Sequence, residues 1–325
     1  MKAIRIGRTG GPEVMELVEM PTPPPGPGEA LVRVEAAGVN FIDVYVRSGA
    51  YARELPAGLG EEGAGVVEQV GDGVREVRAG DRVAWASAAG SYATHVVVRA
   101  DEVVAVPDGV STRDAAAMML QGMTAHYLSH ATFPLTVGDT CLVHAAAGGV
   151  GLLLVQMAKR RGARVLGTTS TDEKARLARE AGADDIILYT REPFDDAARA
   201  HTGGRGIDVV YDSVGAATFD KSLRSLRSRG MLVLFGQSSG RVPPFDLQIL
   251  NSLGSLFVTR PTLRDYVATR GELVERASDV LGGVARGELK LRLHATYPLA
   301  RAADAHRDLE ARRTTGKLVL LPQSS

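Results

Sequence analysis

His144-Ala145-Ala146-Ala147-Gly148-Gly149-Val150-Gly151 is the stretch that decides the fold. The apolar run Thr140–Ala145 leads into it and reads as a strand. Val150, Leu153, Leu154, Met157 and Ala158 follow at helical spacing. A glycine-rich turn between a strand and a helix is the setting in which a G-x-G-x-x-G pattern has physical meaning. Ala146 stands at its first position, Gly148 at the second and Gly151 at the third. Gly148 lets the backbone approach a pyrophosphate, and Gly151 lets the helix lie close to its strand. The helix N-terminus adds N–H donors and the positive end of its dipole.

Outward from this turn the strand–helix alternation continues. Arg164–Thr169 is a strand. Ser170-Thr171-Asp172-Glu173 reads as a capping box opening the next helix, which Gly182 closes. Asp185–Tyr189, Ile207–Asp212, Met231–Phe235 and Ser255–Val258 extend the series, which predicts a doubly wound parallel sheet. Residues 1–120 differ: short strand-like runs at Ala30–Glu35, Gly65–Val70, Arg82–Ala86, Tyr92–Val98 and Glu102–Val106 are divided by Gly, Pro and Asp turns. Alternation along Asn40–Arg47 leaves its tyrosine open as an ordinary packing residue. After Pro261 come an amphipathic helix (Thr269–Leu281), a strand near Leu289–Tyr297, a helix at Leu299–Ala311 and a last strand at Leu318–Leu321. That tail is too short to stand alone. The expected class is therefore α/β, with residues 1–122 and 262–325 forming one β-rich domain and residues 123–261 inserted as a nucleotide-binding domain.

Bulk properties narrow the partners. The chain has 325 residues, 38 basic against 38 acidic side chains, and one cysteine, Cys141. A balanced charge without aromatic–basic stripes does not favour nucleic acid or an acidic membrane. One cysteine precludes a disulfide within the chain and suits a reducing compartment. There is no signal-peptide pattern at Met1–Ile6 and no apolar run near the roughly 20 residues of a membrane span. The expected location is the cytoplasm.

Cofactor choice is read at the end of the second strand of the series. Domains that select NAD place an acid there for the ribose 2′-hydroxyl. Here the strand ends Gly167-Thr168-Thr169-Ser170, so nothing repels a 2′-phosphate. Lys174 lies in the first turn of the next helix, where a cation is locally unfavourable; it is the expected phosphate contact. NADPH is the expected cofactor.

Gly138-Asp139, Leu142, Ala146-Ala147-Gly148-Gly149-x-Gly151, Gln156 and Lys159 together resemble the quinone oxidoreductase signature of the zinc-free medium-chain dehydrogenase/reductase superfamily, the zeta-crystallin-like family. The resemblance extends along the chain. It includes Ala37–Asp43, Arg47-Ser48-Gly49-x-Tyr51, Leu59–Gly65, Ala79–Val83, Gln121–Ala125, Asp208–Gly215, Phe235–Gly240, Phe257–Pro261 and Thr315-Gly316-Lys317. It implies a GroES-like domain carrying catalysis, a Rossmann domain, NADPH in the cleft between them, and a homodimer, with the last Rossmann strand as a pairing edge. It places Asn40, Tyr45 and Tyr51 at the reacting end. Asn40, Ile42, Asp43 and Tyr127 are implied to meet the cofactor, with Ala147, Gly148, Gly149 and Val150 at its pyrophosphate. Thr169, Ser170, Lys174 and Tyr189 are implied on its adenosine side. Ser213 and the run Phe235, Gly236, Gln237, Ser238 and Ser239 form later cofactor loops; Phe257, Thr259, Arg312 and Lys317 complete the set.

The implied reaction is reduction of a quinone or similar electrophilic carbonyl compound by hydride transfer. A reductase of 2-enoyl thioesters or alkenals is an alternative; an NADPH-binding structural or RNA-binding protein is another. No metal is expected. Zinc-dependent relatives carry Cys at the position of Asn40 and His at that of Glu61, and a catalytic zinc needs three suitable ligands. His126 and His130 stand four apart without an intervening acid or further ligands.

Overall fold

The structure, a computed structural model, describes residues 1–323. The chain forms two compact units: Met1–Met123 joined by the segment from Val267 onward, and Thr124–Tyr266.

The first unit is built on a seven-stranded sheet. Its strand order runs Leu293–Pro298, Lys317–Leu321, Glu29–Val39, Glu62–Val70, Arg82–Trp85, Val104–Ala105, and His95–Arg99 also pairs with Glu29–Val39. A smaller sheet joins Glu16–Glu19, Lys2–Ile6 and Ala57–Gly58. Alternate inward residues such as Val32, Val34, Val67, Val83 and Leu318 form its core around Trp85 and Tyr92. The C-terminal tail thus supplies two strands to a sheet begun almost 300 residues earlier.

Two helices that begin in this unit were not read from the sequence. Phe41–Ser48 is helical, not extended. The Asp43 carboxylate accepts the backbone N–H of Asn40 (2.8 Å), and Gly49 ends the helix in the left-handed region at φ 84°. Those local caps outweigh the alternation of apolar residues. Thr112–Tyr127 is also a helix, within a region read as β-rich. Ser111 caps it by accepting the Asp114 N–H (3.1 Å), and its run Ala115-Ala116-Ala117-Met118-Met119-Leu120 consists of strong helix formers.

The second unit has six parallel strands in the order Asp185–Leu188, Arg164–Thr169, Thr140–Val143, Ile207–Asp212, Leu226–Leu234, Phe257–Thr259. Thr140–Val143 is buried at all four positions, as expected of a central strand covered on both faces. The order reverses beside it, which creates a crevice at the carboxyl ends of the strands. One cap moves by a residue relative to the sequence reading. Thr171, not Ser170, caps the helix Asp172–Glu180, and its hydroxyl accepts the Lys174 N–H (3.3 Å). The third helical position is then Lys174, so Glu173 cannot complete a capping box.

Candidate active site

The turn after Thr140–Val143 leaves the N-terminus of the next helix open on one side. Gly148 caps the helix Gly149–Arg160 in extended conformation, and its N–H donates to Ala145 O (2.8 Å). A Cβ on Gly148 would meet one atom within 4 Å, Ala145 O at 3.1 Å, so that side of the turn is open. A Cβ on Gly151 would lie 2.3 Å from Ala145 O and 2.9 Å from Ala146. Gly151 is therefore fixed by packing, while Gly148 keeps space clear. The N–H groups of the first helical turn have no acceptor within the helix. Ala147 is buried beneath the turn; Gly149 and Val150 are partly open.

Thr169 ends its strand with Oγ1 buried and without a hydrogen-bond partner. Ser170 is half-buried, and Lys174 begins the neighbouring helix. Tyr189 is 45% exposed directly after the adjacent strand, its N–H donating to Thr169 O (3.2 Å). Arg191, which sequence reading missed, sits at the same edge and pairs with Asp172 (2.5 Å).

Two loops close the other side of the crevice. Asp212 Oδ1 accepts the N–H groups of Val214 (2.7 Å) and Gly215 (3.0 Å), holding Ser213 at the strand end. Phe235 and Gly236 donate to Asp212 O, Ser238 to Ser213 O and Ser239 to Val214 O. A Cβ on Gly236 would lie 2.6 Å from Ser213 O, so this lacing depends on glycine. Gln237 is half-buried on the same loop. Phe257 and Thr259 bound the outermost strand, and Phe257 is 56% exposed. Tyr127 is buried and stacks on Tyr266 at 4.3 Å, so one face of its ring is already covered.

Behind these loops lies a buried line the sequence did not announce. His144 Nε2 meets Ser222 Oγ (2.9 Å), Ser222 donates to Asp212 Oδ2 (3.0 Å), and His144 Nδ1 meets Thr168 Oγ1 (2.9 Å). Burial pushes the His144 pKa down. All four side chains are inaccessible, so this Ser–His–Asp set ties strand ends together and offers no nucleophile.

In the first unit Asn40 is 4% exposed. Its Oδ1 accepts from Lys317 Nζ (2.8 Å) and Gln121 Nε2 (3.2 Å), and its Nδ2 donates to Glu62 Oε2 (2.8 Å). Lys317 Nζ also donates to Glu62 Oε2 (2.5 Å). Burial pushes the Lys317 ammonium down, against the pull of the Glu62 carboxylate. The structure thus places Lys317 inside a buried polar cluster with Asn40 and Glu62. Glu62 and Gln121 were missed in the sequence. The available signal was Gly38, where a Cβ would lie 2.1 Å from Glu62 Oε2. Gln121 Oε1 is buried and unpartnered.

Tyr45 and Tyr51 are brought together, ring centroids 5.2 Å apart, with Phe41 6.0 Å beyond Tyr45. Ile42 and Tyr45 are half-buried, while Asp43 is buried. Arg312 is exposed in the loop after the helix Ala302–Glu310, with φ 56°. No group of three or more His, Cys, Asp or Glu side chains is placed to hold a metal among the described residues. Glu61 is paired with Arg53 (2.6 Å), and an ammonium already occupies the environment of Asn40. His126 and His130 stack on each other at 4.1 Å. Cys141 is buried, and burial raises its thiol pKa. No helix among the described residues is long and apolar enough to cross a membrane.

Residues 26–108 match the alcohol dehydrogenase GroES-like domain family and residues 149–277 the zinc-binding dehydrogenase family. The chain is 47% identical to a quinone oxidoreductase of Pseudomonas aeruginosa over 99% of both chains. It is 41% identical to a 2-haloacrylate reductase of a Burkholderia species over 98% of both. The crystal structure of Escherichia coli quinone oxidoreductase complexed with NADPH superimposes with a TM-score of 0.97 at 43% identity, covering 99% of this chain and 100% of that one. With this likeness over both units, the chain belongs to the quinone oxidoreductase family of the medium-chain dehydrogenase/reductase superfamily.

Proposed function

We infer that the protein is an NADPH-dependent oxidoreductase that reduces quinones without zinc. The observation that carries the reading is the turn at Gly148, where the missing Cβ leaves room at a helix N-terminus. NADPH, when bound, supplies a hydride to the acceptor. The Gly149–Val150 N–H groups hold the pyrophosphate, and the unpartnered Thr169 hydroxyl gains a partner on the adenosine side. Lys174, aided by Arg191, meets the 2′-phosphate; Tyr189 packs beside it. Tyr45 and Tyr51, in contact with each other, offer a ring face to a flat acceptor, and a phenolic O–H donates to the oxygen that gains negative charge. Asn40 holds Lys317, Glu62 and Gln121 in place at the reacting end through its amide. The remaining contacts expected at Ile42, Tyr127, Ser213, the Phe235–Ser239 loop, Phe257, Thr259 and Arg312 belong to the same proposal. A cytoplasmic homodimer is its assembled form.

Reduction of a small activated alkene is the second reading, favoured by the likeness to the 2-haloacrylate reductase. NADPH oxidation measured with a quinone, a 2-haloacrylate, an enoyl-CoA and no acceptor separates the readings. Turnover highest with the quinone supports the first. Turnover confined to the alkenes replaces it with the second, and none with any acceptor leaves a binding protein.

A further inference from the structure

A buried line of polar groups in the first unit lies outside the chemistry just described. Arg47, 1% exposed, grips Glu310 through two N–H···O bonds of 2.9 and 2.8 Å. Its Nη1 also points at His306 Nδ1, 3.1 Å away. A guanidinium donates and never accepts, so Nδ1 carries the lone pair and the neutral ring holds its proton on Nε2. Nε2 lies 3.2 Å from the Tyr92 oxygen, which accepts that proton's hydrogen bond. The Tyr92 O–H then donates to Asp43 Oδ2 at 2.8 Å. The same Oδ2 accepts the Asn40 backbone N–H at 2.8 Å. One cation at the far end thus fixes the direction of every hydrogen in the line.

We propose that Tyr92 and His306 are positioning residues for Asn40: they deliver one hydrogen of fixed direction to Asp43, which anchors the Asn40 backbone at the start of its helix. From that anchor the Asn40 side chain reaches Lys317, Glu62 and Gln121. The effect on turnover rests on the reading of Asn40 given above; the effect on Asp43 does not.

The electrostatics agree with the geometry. Burial, then the nearby Glu61, raise the Asp43 carboxyl to about 7, while the hydrogen bonds from Asn40 and Tyr92 and the charge of Lys317 pull it down. Glu62 is held by Lys317, Arg47 is neutralised by Glu310, and burial with Arg47 pushes His306 down to about 3. Asp43 Oδ1 is buried without a partner, so it receives the proton when the group is neutral. Tyr92 supplies one of the two hydrogen bonds that Oδ2 accepts, the other coming from the Asn40 N–H, and its loss must raise the carboxyl further.

The test follows the protonated-carboxyl infrared band of Asp43, assigned by its loss in Asp43→Asn, across pH in the full-length protein. Tyr92→Phe should raise its midpoint by about one unit or more, the loss of one hydrogen bond to a charged group. His306→Gln, which keeps an N–H toward Tyr92, should shift it less. The acid limb of kcat/KM should move with the midpoint. An unmoved midpoint in Tyr92→Phe overturns the proposal. If that variant does not fold, an unmoved midpoint in His306→Leu does so. A moved midpoint with an unmoved activity profile keeps the line and overturns the role of Asn40 in turnover.

Discussion

Gly148 and Gly151 stand three residues apart and are glycine for different reasons. A side chain on Gly148 would enter open space, meeting only Ala145 O at 3.1 Å, where the proposed function puts the pyrophosphate; one on Gly151 would strike the turn backbone at 2.3 Å. Gly148→Val is therefore expected to fold and to lose NADPH binding, and Gly151→Val to lose soluble, folded protein. Cofactor titration and circular dichroism on both variants check this; a Gly148→Val protein that binds NADPH normally would remove the turn from the site. Lys174 carries the matching prediction for cofactor choice. One charged contact to a phosphate is worth about 1.5–3 kcal/mol, and each 1.4 kcal/mol is about tenfold in affinity. Wild type should prefer NADPH over NADH by at least about tenfold, and Lys174→Ala should weaken NADPH while leaving NADH nearly unchanged. Equal weakening of both cofactors would assign Lys174 to the fold. These residues were legible in the sequence because turn, strand tip and cap are local. Arg191 was not, since only the sheet brings it beside Asp172.

The helix Phe41–Ser48 shows what periodicity misses. The alternation of its apolar residues names no element, and the Asp43 cap and the left-handed Gly49 set its limits. Asp43 and His306, joined through Tyr92, also give the fold an unusual pH response. Asp43 is raised to about 7 from 3.8, so the stability it contributes is fully present below 3.8 and is lost as pH rises through 7. His306 is lowered to about 3 from 6.5, so its contribution is present above 6.5 and is lost as pH falls toward 3. Each shift spans about three pH units, or about 4 kcal/mol at 1.36 per unit. Between about pH 4 and 6.5 the two slopes oppose and nearly cancel. Asp43→Asn should leave the His306 slope uncovered, so that the variant loses stability on acidification more steeply than wild type. His306→Gln should do the reverse. Urea unfolding from pH 4 to 8 reads both, and curves parallel to wild type for both variants would refute the opposition.

Across the whole molecule, sequence reading recovered the two patterns of strands but not the long-range contacts. Asn40 meets Lys317 from 277 residues away and Tyr92 meets His306 from 214, separations with no local signature. The outermost strand Phe257–Thr259 extends the argument beyond one chain. It pairs with Leu226–Leu234 on one side and ends the six-stranded sheet. Its other edge offers backbone donors and acceptors, and Phe257 leaves 56% of its surface exposed beside them. An apolar edge strand of this kind calls for a covering partner, and short edges are otherwise protected by charge or proline. The strand Phe257-Val258-Thr259 carries neither, and the chain's formal net charge of zero sets no long-range repulsion against a second copy. Wild type should therefore sediment as a dimer paired through this edge. Phe257→Lys places a charge at the centre of that contact and should shift the mass toward one chain while the circular dichroism spectrum stays folded. A variant that keeps the dimer mass would move the interface elsewhere, and a monomeric wild type would remove it.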